Sequence, residues 1–175
     1  MRVLKNFKNV TYFLAEKHQL YQLRLRLTEK YPTEFSPSET NLFNINVYSF
    51  DLQVAIYENN LVGDIYECDT FSHKGCLCKK GNVVVLRQEA YNINVLLGTI
   101  VLLLVDDNGP HLVLEVRSTE FISSMRYFEM KDWVKYECIH PDKLLSAKSL
   151  HVYKRDSRLL IKLKHGLVSE EMKTS

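Results

Sequence analysis

Apolar and polar residues alternate with a period of two along much of the chain, the signature of strands with one packed face and one wet face. The alternation is cleanest over residues 20–27, LYQLRLRL. There Tyr21, Leu23, Leu25 and Leu27 share one face, and Gln22, Arg24 and Arg26 share the other. Residues 9–16, NVTYFLAE, are its expected hairpin partner. The stretch 32–40, PTEFSPSET, is polar and carries two prolines, so it reads as a loop with a turn or helix-start signal. Residues 42–48 and 52–57 alternate again and predict two more strands, closed by the turn residues Asn59 and Asn60 and followed by 61–68.

Further along the pattern is denser. Residues 83–86, VVVL, and 93–105, INVLLGTIVLLLV, are nearly all apolar, with Gly98 inside the second run as the mark of a bulge or bend. DDNGP at 106–110 is a turn composition, and HLVLEV at 111–116 completes a hairpin. In 119–130, Phe121, Ile122, Met125 and Phe128 fall at helical spacing behind a Ser118 or Thr119 cap, which predicts a helix. Pro141 opens 141–150 like a helix start. Residues 150–164 read as two strands about a Lys-Arg-Asp-Ser turn. The expected fold is all-β or β-rich α+β, a closed OB-like β-barrel with two or three short peripheral helices. It occupies residues 1–165 as one domain with an N-terminal hairpin, and 166–175 form a flexible tail.

Composition narrows the class of protein. At 175 residues, 46% hydrophobic and 25% charged, the chain suits one ordinary folded domain and not a disordered segment. No apolar run reaches the ~18 residues of a membrane helix, and the first ten residues lack the apolar core of a signal peptide. An intracellular, reducing setting is expected, in which the four cysteines are thiols or metal ligands before they are disulfides. With a net charge of +2, any nucleic-acid surface must come from clustering of charge, not from its sum.

Candidate chemistry is sparse. Cys68, His73, Cys76 and Cys78 form a C-x4-H-x2-C-x-C run, which offers zinc soft ligands. The expectation is nevertheless no metal and no cofactor, on the argument that C-x-C sends its two thiols to opposite faces of a strand. Nucleophile-elbow, phosphate-loop and metalloprotease motifs are absent from the sequence, so no catalytic residue is expected. Asp106 and Asp107 read as turn residues, and Cys138 with His140 as a strand end and loop.

Two surfaces stand out. In the terminal hairpin Leu159, Ile161 and Leu163 point inward, while Lys162 and Lys164 point out beside His151 and Tyr153. With Lys154, Arg155 and, from the first strand, Arg24 and Arg26, this arrangement offers charge for phosphates and a ring for a base. The competing reading is an edge hairpin whose cations prevent edge-to-edge pairing. The run 95–105 is apolar on both faces, so both need cover, either from the predicted helix or from a partner. Arg126, Tyr127 and Trp133 are the expected anchors of such an interface, in a complex with another protein or a second copy.

The segment KKGNVVVLRQEAYNINVLLGTIVLLLVDDNG resembles the middle of an OB-fold barrel, with Gly81, Val83, Val84 and Leu86 matching a G-x-V-V-x-L strand start. NINVYSFDLQVAIYENNLVGDIY (44–66) looks similar to a strand pair of the same family. The resemblance covers about half the chain. It implies a non-catalytic, nuclear binding protein of the kind found in single-stranded-DNA and telomere-protecting complexes. The near-neutral charge shifts that expectation toward an interaction subunit, with a protein partner first and single-stranded nucleic acid second.

Overall fold

The computed structural model of the chain describes residues 35–37, 40–88 and 94–163. The expected hairpin over 9–27 and the expected tail lie outside the described residues. In chain order the first strands are β1 (Phe35–Pro37), β2 (Thr40–Leu42), β3 (Tyr66–Cys68), β4 (Thr70–His73), β5 (Cys76–Lys79) and β6 (Val83–Gln88). After them come β7 (Val95–Asp106), β8 (Gly109–Ile122), β9 (Tyr127–Met130), β10 (Lys135–Ile139), β11 (Ser146–Leu150), β12 (Val152–Arg155) and β13 (Arg158–Ile161). Among the described residues one α-helix, α1 (Phe50–Tyr57), lies between β2 and β3.

The β7–β8 hairpin is the spine. Its turn forms where the sequence predicts, because the Asp106 carboxylate gathers the backbone there. Asp106 accepts from the amides of Asn108 at 2.9 Å and Gly109 at 3.1 Å, and also from Val62 at 2.7 Å. At one end of the spine β6 flanks β7 and β9 flanks β8. At the other end β3 flanks β7 and β10 flanks β8. The outer order is β11-β6-β7-β8-β9-β13-β12, with β2 and β3 beside β7 and β10 beside β8. A second sheet, β1-β4-β5, folds over the first. All pairings are antiparallel. Among the described residues neither sheet closes on itself, so these strands form a large open antiparallel sheet with a small one against it.

A register shift between Ile100 and Leu102 sets Val101 aside as an extra residue in mid-spine. A bulge of this kind bends a strand and increases its twist. It also changes which neighbours each face meets. One face of β7, with Ile100, Leu103 and Val105, packs against Phe71, Cys78, Val84 and Leu86. On the other face Val95 and Leu97 pack with Phe128, Met130 and Ile161, while Leu102 and Leu104 pack with Leu52 and Ile56 of α1. The doubly apolar strand is therefore covered on both faces by its own chain. Of the two covers expected, a helix over 119–130 or a partner, neither is what hides this strand: β4, β5 and β6 lie on one face, and α1, β9 and β13 on the other. Gly98 sits within the paired strand, opposite Val84 and Val116, and serves close approach: a Cβ there would lie 2.7 Å from Leu114 Cδ1.

Four segments differ from their predicted elements. Residues 45–47 form a 3₁₀ turn and 50–57 form α1, not strands. Leu52, Ala55 and Ile56 are buried at helical spacing, while Phe50, Val54 and Tyr57 leave the outward face apolar too. A helix that is apolar all round mimics strand alternation, and its packing against β10 and β8 decides the conformation. Residues 119–130 are strand, turn and strand, not a helix. Thr119 Oγ1 donates to Val95 O at 2.8 Å, and Phe121 meets Phe128 across the pair with ring centroids 5.0 Å apart. Helical spacing arose there because the two inward strand positions straddle a four-residue loop. Pro141 does start a helical turn, but only a 3₁₀ one over Pro141–Lys143, after which β11 pairs with β6. No described helix is long and apolar enough to cross a membrane.

Candidate nucleic-acid interface

The β12–β13 hairpin turns on Asp156 and Ser157, both with positive φ (47° and 67°). Two consecutive left-handed residues make the tight turn whose twist matches a two-residue hairpin. β13 then pairs with β9, so the hairpin extends the spine's sheet by two strands. Alternation buries Ile161 and half-buries Val152 and Leu159 against Val83, Leu97, Phe128 and Met130, as the sequence predicts.

The outer face is built by register. Tyr153 lies opposite Leu160, which lies opposite Glu129; Arg155 lies opposite Arg158. One step further along, Lys162 reaches Tyr127, with its Nζ 6.0 Å from the ring centroid. Tyr153 stands edge-on to Tyr127 at 5.9 Å and to His151 at 4.5 Å. Tyr153 is 45% exposed, while Leu160 on the same face is only 4% exposed beneath the rings. A groove of about 490 Å³ runs between Met125, Tyr127, Tyr153, Lys154, Arg155 and Leu160. It continues into a second of about 330 Å³ toward Asp156 and Arg158. Lys154 pairs with Leu159 and so belongs by alternation to the opposite face, reaching the groove only at its rim. The face is not uniformly cationic. Glu129 Oε1 lies 3.4 Å from Arg158 Nε, and Asp156 Oδ2 lies 3.7 Å from Arg155 Nε. Arg24, Arg26 and Lys164 lie outside the described residues. Arg158, Met125 and Leu160 were not among the predicted site residues; only the register of β13 on β9 places them in the groove.

The predicted interface residues are split. Tyr127 belongs to the groove. Arg126 is exposed in the β8–β9 turn with φ of 56°. Trp133 is 64% exposed in the connection to β10, so it is not a core residue.

The Cys/His run does not converge. His73 and Cys76 face each other across the β4–β5 hairpin, while Cys68 and Cys78 are buried in the apolar core. Residues two apart on a strand share a face, so Cys76 and Cys78 both point inward. The expectation that C-x-C splits them is corrected on that ground. Burial, with Cys76 beside it, pushes the Cys78 thiol up to about 11. Among the described residues no group of three or more His, Cys, Asp or Glu is placed to hold a metal ion. Burial and the nearby Asp106 carboxylate push the Cys138 thiol up to about 12, so it is no poised nucleophile.

Sequence reasoning missed one cluster. His73, His140 and His111 stand in a row, with ring centroids 6.2 and 6.4 Å apart, each edge-on to the next. They come from β4, the loop after β10 and the start of β8, so no local spacing announced them. No protein-family model, curated protein or solved structure matches the chain.

Proposed function

We propose that the protein is a non-catalytic binding subunit that takes single-stranded nucleic acid across the β12–β13–β9 face and acts in a complex with a protein partner. The observation that carries this reading is the pair of edge-on tyrosines, Tyr127 and Tyr153, set over an apolar floor with Lys162, Arg155 and Arg158 around them. Rings that stack on bases and cations that track the backbone are what sequence-tolerant single-strand binding requires. The exposed Trp133 supports the protein partner, since tryptophan is enriched among the residues that anchor interfaces. An OB-like relationship is part of the same proposal, supported by the bulge-bent spine and the Gly81–Leu86 strand start. The nuclear, chromosome-end setting rests on the family resemblance alone.

Fluorescence anisotropy with a labelled single-stranded oligonucleotide tests it. Affinity should fall steeply with salt, with a log–log slope of about −0.7 per phosphate contacted. The double reversal Arg155→Glu, Lys162→Glu should abolish binding. Tyr153→Ala should weaken it by ~1–3 kcal/mol with little change in the salt slope. Salt-independent binding, or full binding by the double reversal, defeats the proposal.

A further inference from the structure

The histidine row lies apart from the nucleic-acid face, yet its rings are closely engaged. His73 is 3% exposed. Its Nε2 lies 3.1 Å from Asp142 Oδ1, while its Nδ1 is buried with no hydrogen-bond partner. His140 Nδ1 accepts from the Asp142 amide at 3.2 Å, capping the 3₁₀ turn Pro141–Lys143. His111 Nε2 lies 2.9 Å from Asp106 Oδ1. At least one nitrogen of each ring is engaged, and the rings lie edge to face between the Asp142 and Asp106 carboxylates.

Beyond the turn that this row caps, the chain is lightly held. Leu145 N donates to Leu86 O at 3.0 Å, and β11 then meets β6 through just two register pairs, Ser146↔Val85 and Leu150↔Val83, with an irregularity between them. Lys148 and Ser149 are exposed. β11 is thus the outer strand beside β6, paired only at its two ends, with β5 also against it and Leu150 packed in the core, and its start follows directly on the turn that His140 caps.

We propose that the row His73–His140–His111 is an acid-sensitive latch, which holds the 3₁₀ turn and β11 against β6 at neutral pH and releases them as the pH falls. Protonating His140 at Nδ1 turns the capping acceptor into a donor. That step sets a cation against His73, His111 and Lys74. The described groups that face the row are Lys74 after β4, Cys76 of β5, Asp106 of β7, Cys138 of β10, and Asp142 and Lys143 of the 3₁₀ turn. Asp142, 3.2 Å from His140, opposes opening by attracting the new charge. Burial outweighs it, helped by His111, His73 and Lys74, so His140 titrates below the ordinary histidine range. The contribution of His140 is accordingly whole above the unfolded value, ~6.5, and is lost as the pH falls below that through its lowered folded value.

Hydrogen–deuterium exchange of the full chain, corrected for the intrinsic pH dependence of exchange, tests the latch. Between neutral pH and about pH 5, residues 141–150 should lose protection by about tenfold per pH unit for each proton taken up on opening, while β7 and β8 keep theirs. His140→Asn retains a capping oxygen without a titrating ring, and should hold residues 141–150 protected across the range. Unchanged protection in the native chain, or the same loss in His140→Asn, overturns the proposal. Imidazole resonances of the native chain, titrated in parallel, give a reading that does not depend on the variant folding. The opening midpoint must coincide with protonation of the His140 ring; a midpoint away from it refutes the latch.

Discussion

Replacing Gly98 with alanine measures how tightly the spine is packed. An alanine Cβ would lie 2.7 Å from Leu114 Cδ1 and 3.2 Å from its Cβ and Cγ. Carbon atoms rest at about 3.5–4.0 Å, so Leu114 must move. It has no room to do so, being fully buried among Ile100, Leu103, Val84 and Val116. Overpacking of this kind costs ~1–3 kcal/mol. Against that, alanine restricts the unfolded chain more than glycine does, which returns ~0.4–1 kcal/mol. The expected net loss is ~0–2.6 kcal/mol, read from urea unfolding followed by circular dichroism. A double-mutant cycle isolates the cause. Leu114→Ala alone should cost ~2–5 kcal/mol as a cavity. In that background the contacts with Cδ1 and Cγ are gone, leaving only the 3.2 Å approach to Cβ, and the new methyl fills part of the void, so Gly98→Ala should cost less than it does in the native chain. The two changes should therefore fall short of additivity by about 1–3 kcal/mol. A Gly98→Ala protein more stable than the native chain, or costs that simply add, would refute close approach as the reason for glycine.

Two further outcomes are expected. Burial alone would raise the pKa of Asp106, but the hydrogen bond from His111 and the amides of Val62 and Asn108 more than offset it and hold the carboxyl below the usual aspartate range. Its contribution is therefore present above the unfolded value of ~3.9 and lost as the pH falls through the lower folded value; Asp106→Asn should cost ~2–4 kcal/mol near neutral pH and flatten the acid limb of the stability profile, and an unchanged acid limb would contradict this. Trp133→Ala should change the unfolding free energy by less than ~0.5 kcal/mol while abolishing capture of a partner, because the ring is mostly exposed; a large loss of stability would show that the ring is structural instead.

The features legible in the sequence were the ones whose cause is local. Asp106-Asp107-Asn108-Gly109 forms its turn through its own carboxylate and amides, and the terminal hairpin turns on its own Asp156 and Ser157. The inward set Leu159 and Ile161 came from alternation. What failed was set by distant partners. FDLQVAIY is rich in strand-favouring residues, yet its helix is selected by the Leu102, Leu104 and Val113 surface it meets. The double apolarity of 95–105 was legible, but its meaning was not. A bulge at Val101 lets one strand supply three clusters, and no composition rule announces where a bulge falls. The histidine row was invisible because its members meet only through topology.

The same register logic separates the two readings of the basic hairpin. Charges that deter edge-to-edge pairing belong on the outermost strand, where the unsatisfied ladder groups are. β12 is that strand among the described residues, and Lys154 and Arg155 on it fit the protective reading. Arg158 and Lys162, however, belong to β13 or come directly after it, one strand further in, and Tyr127 lies a further strand in, on β9. Edge protection gives no reason for cations there. Nor does it give a reason for Leu160, on the solvent side of β13, to be buried in a groove that Met125, Tyr127, Tyr153 and Arg155 also line. A leucine on the wet face under two tyrosines is the floor of a groove. Replacing it with serine should therefore weaken oligonucleotide binding more than it weakens the hairpin's pairing with β9, whereas a merely protective edge would lose stability and nothing else.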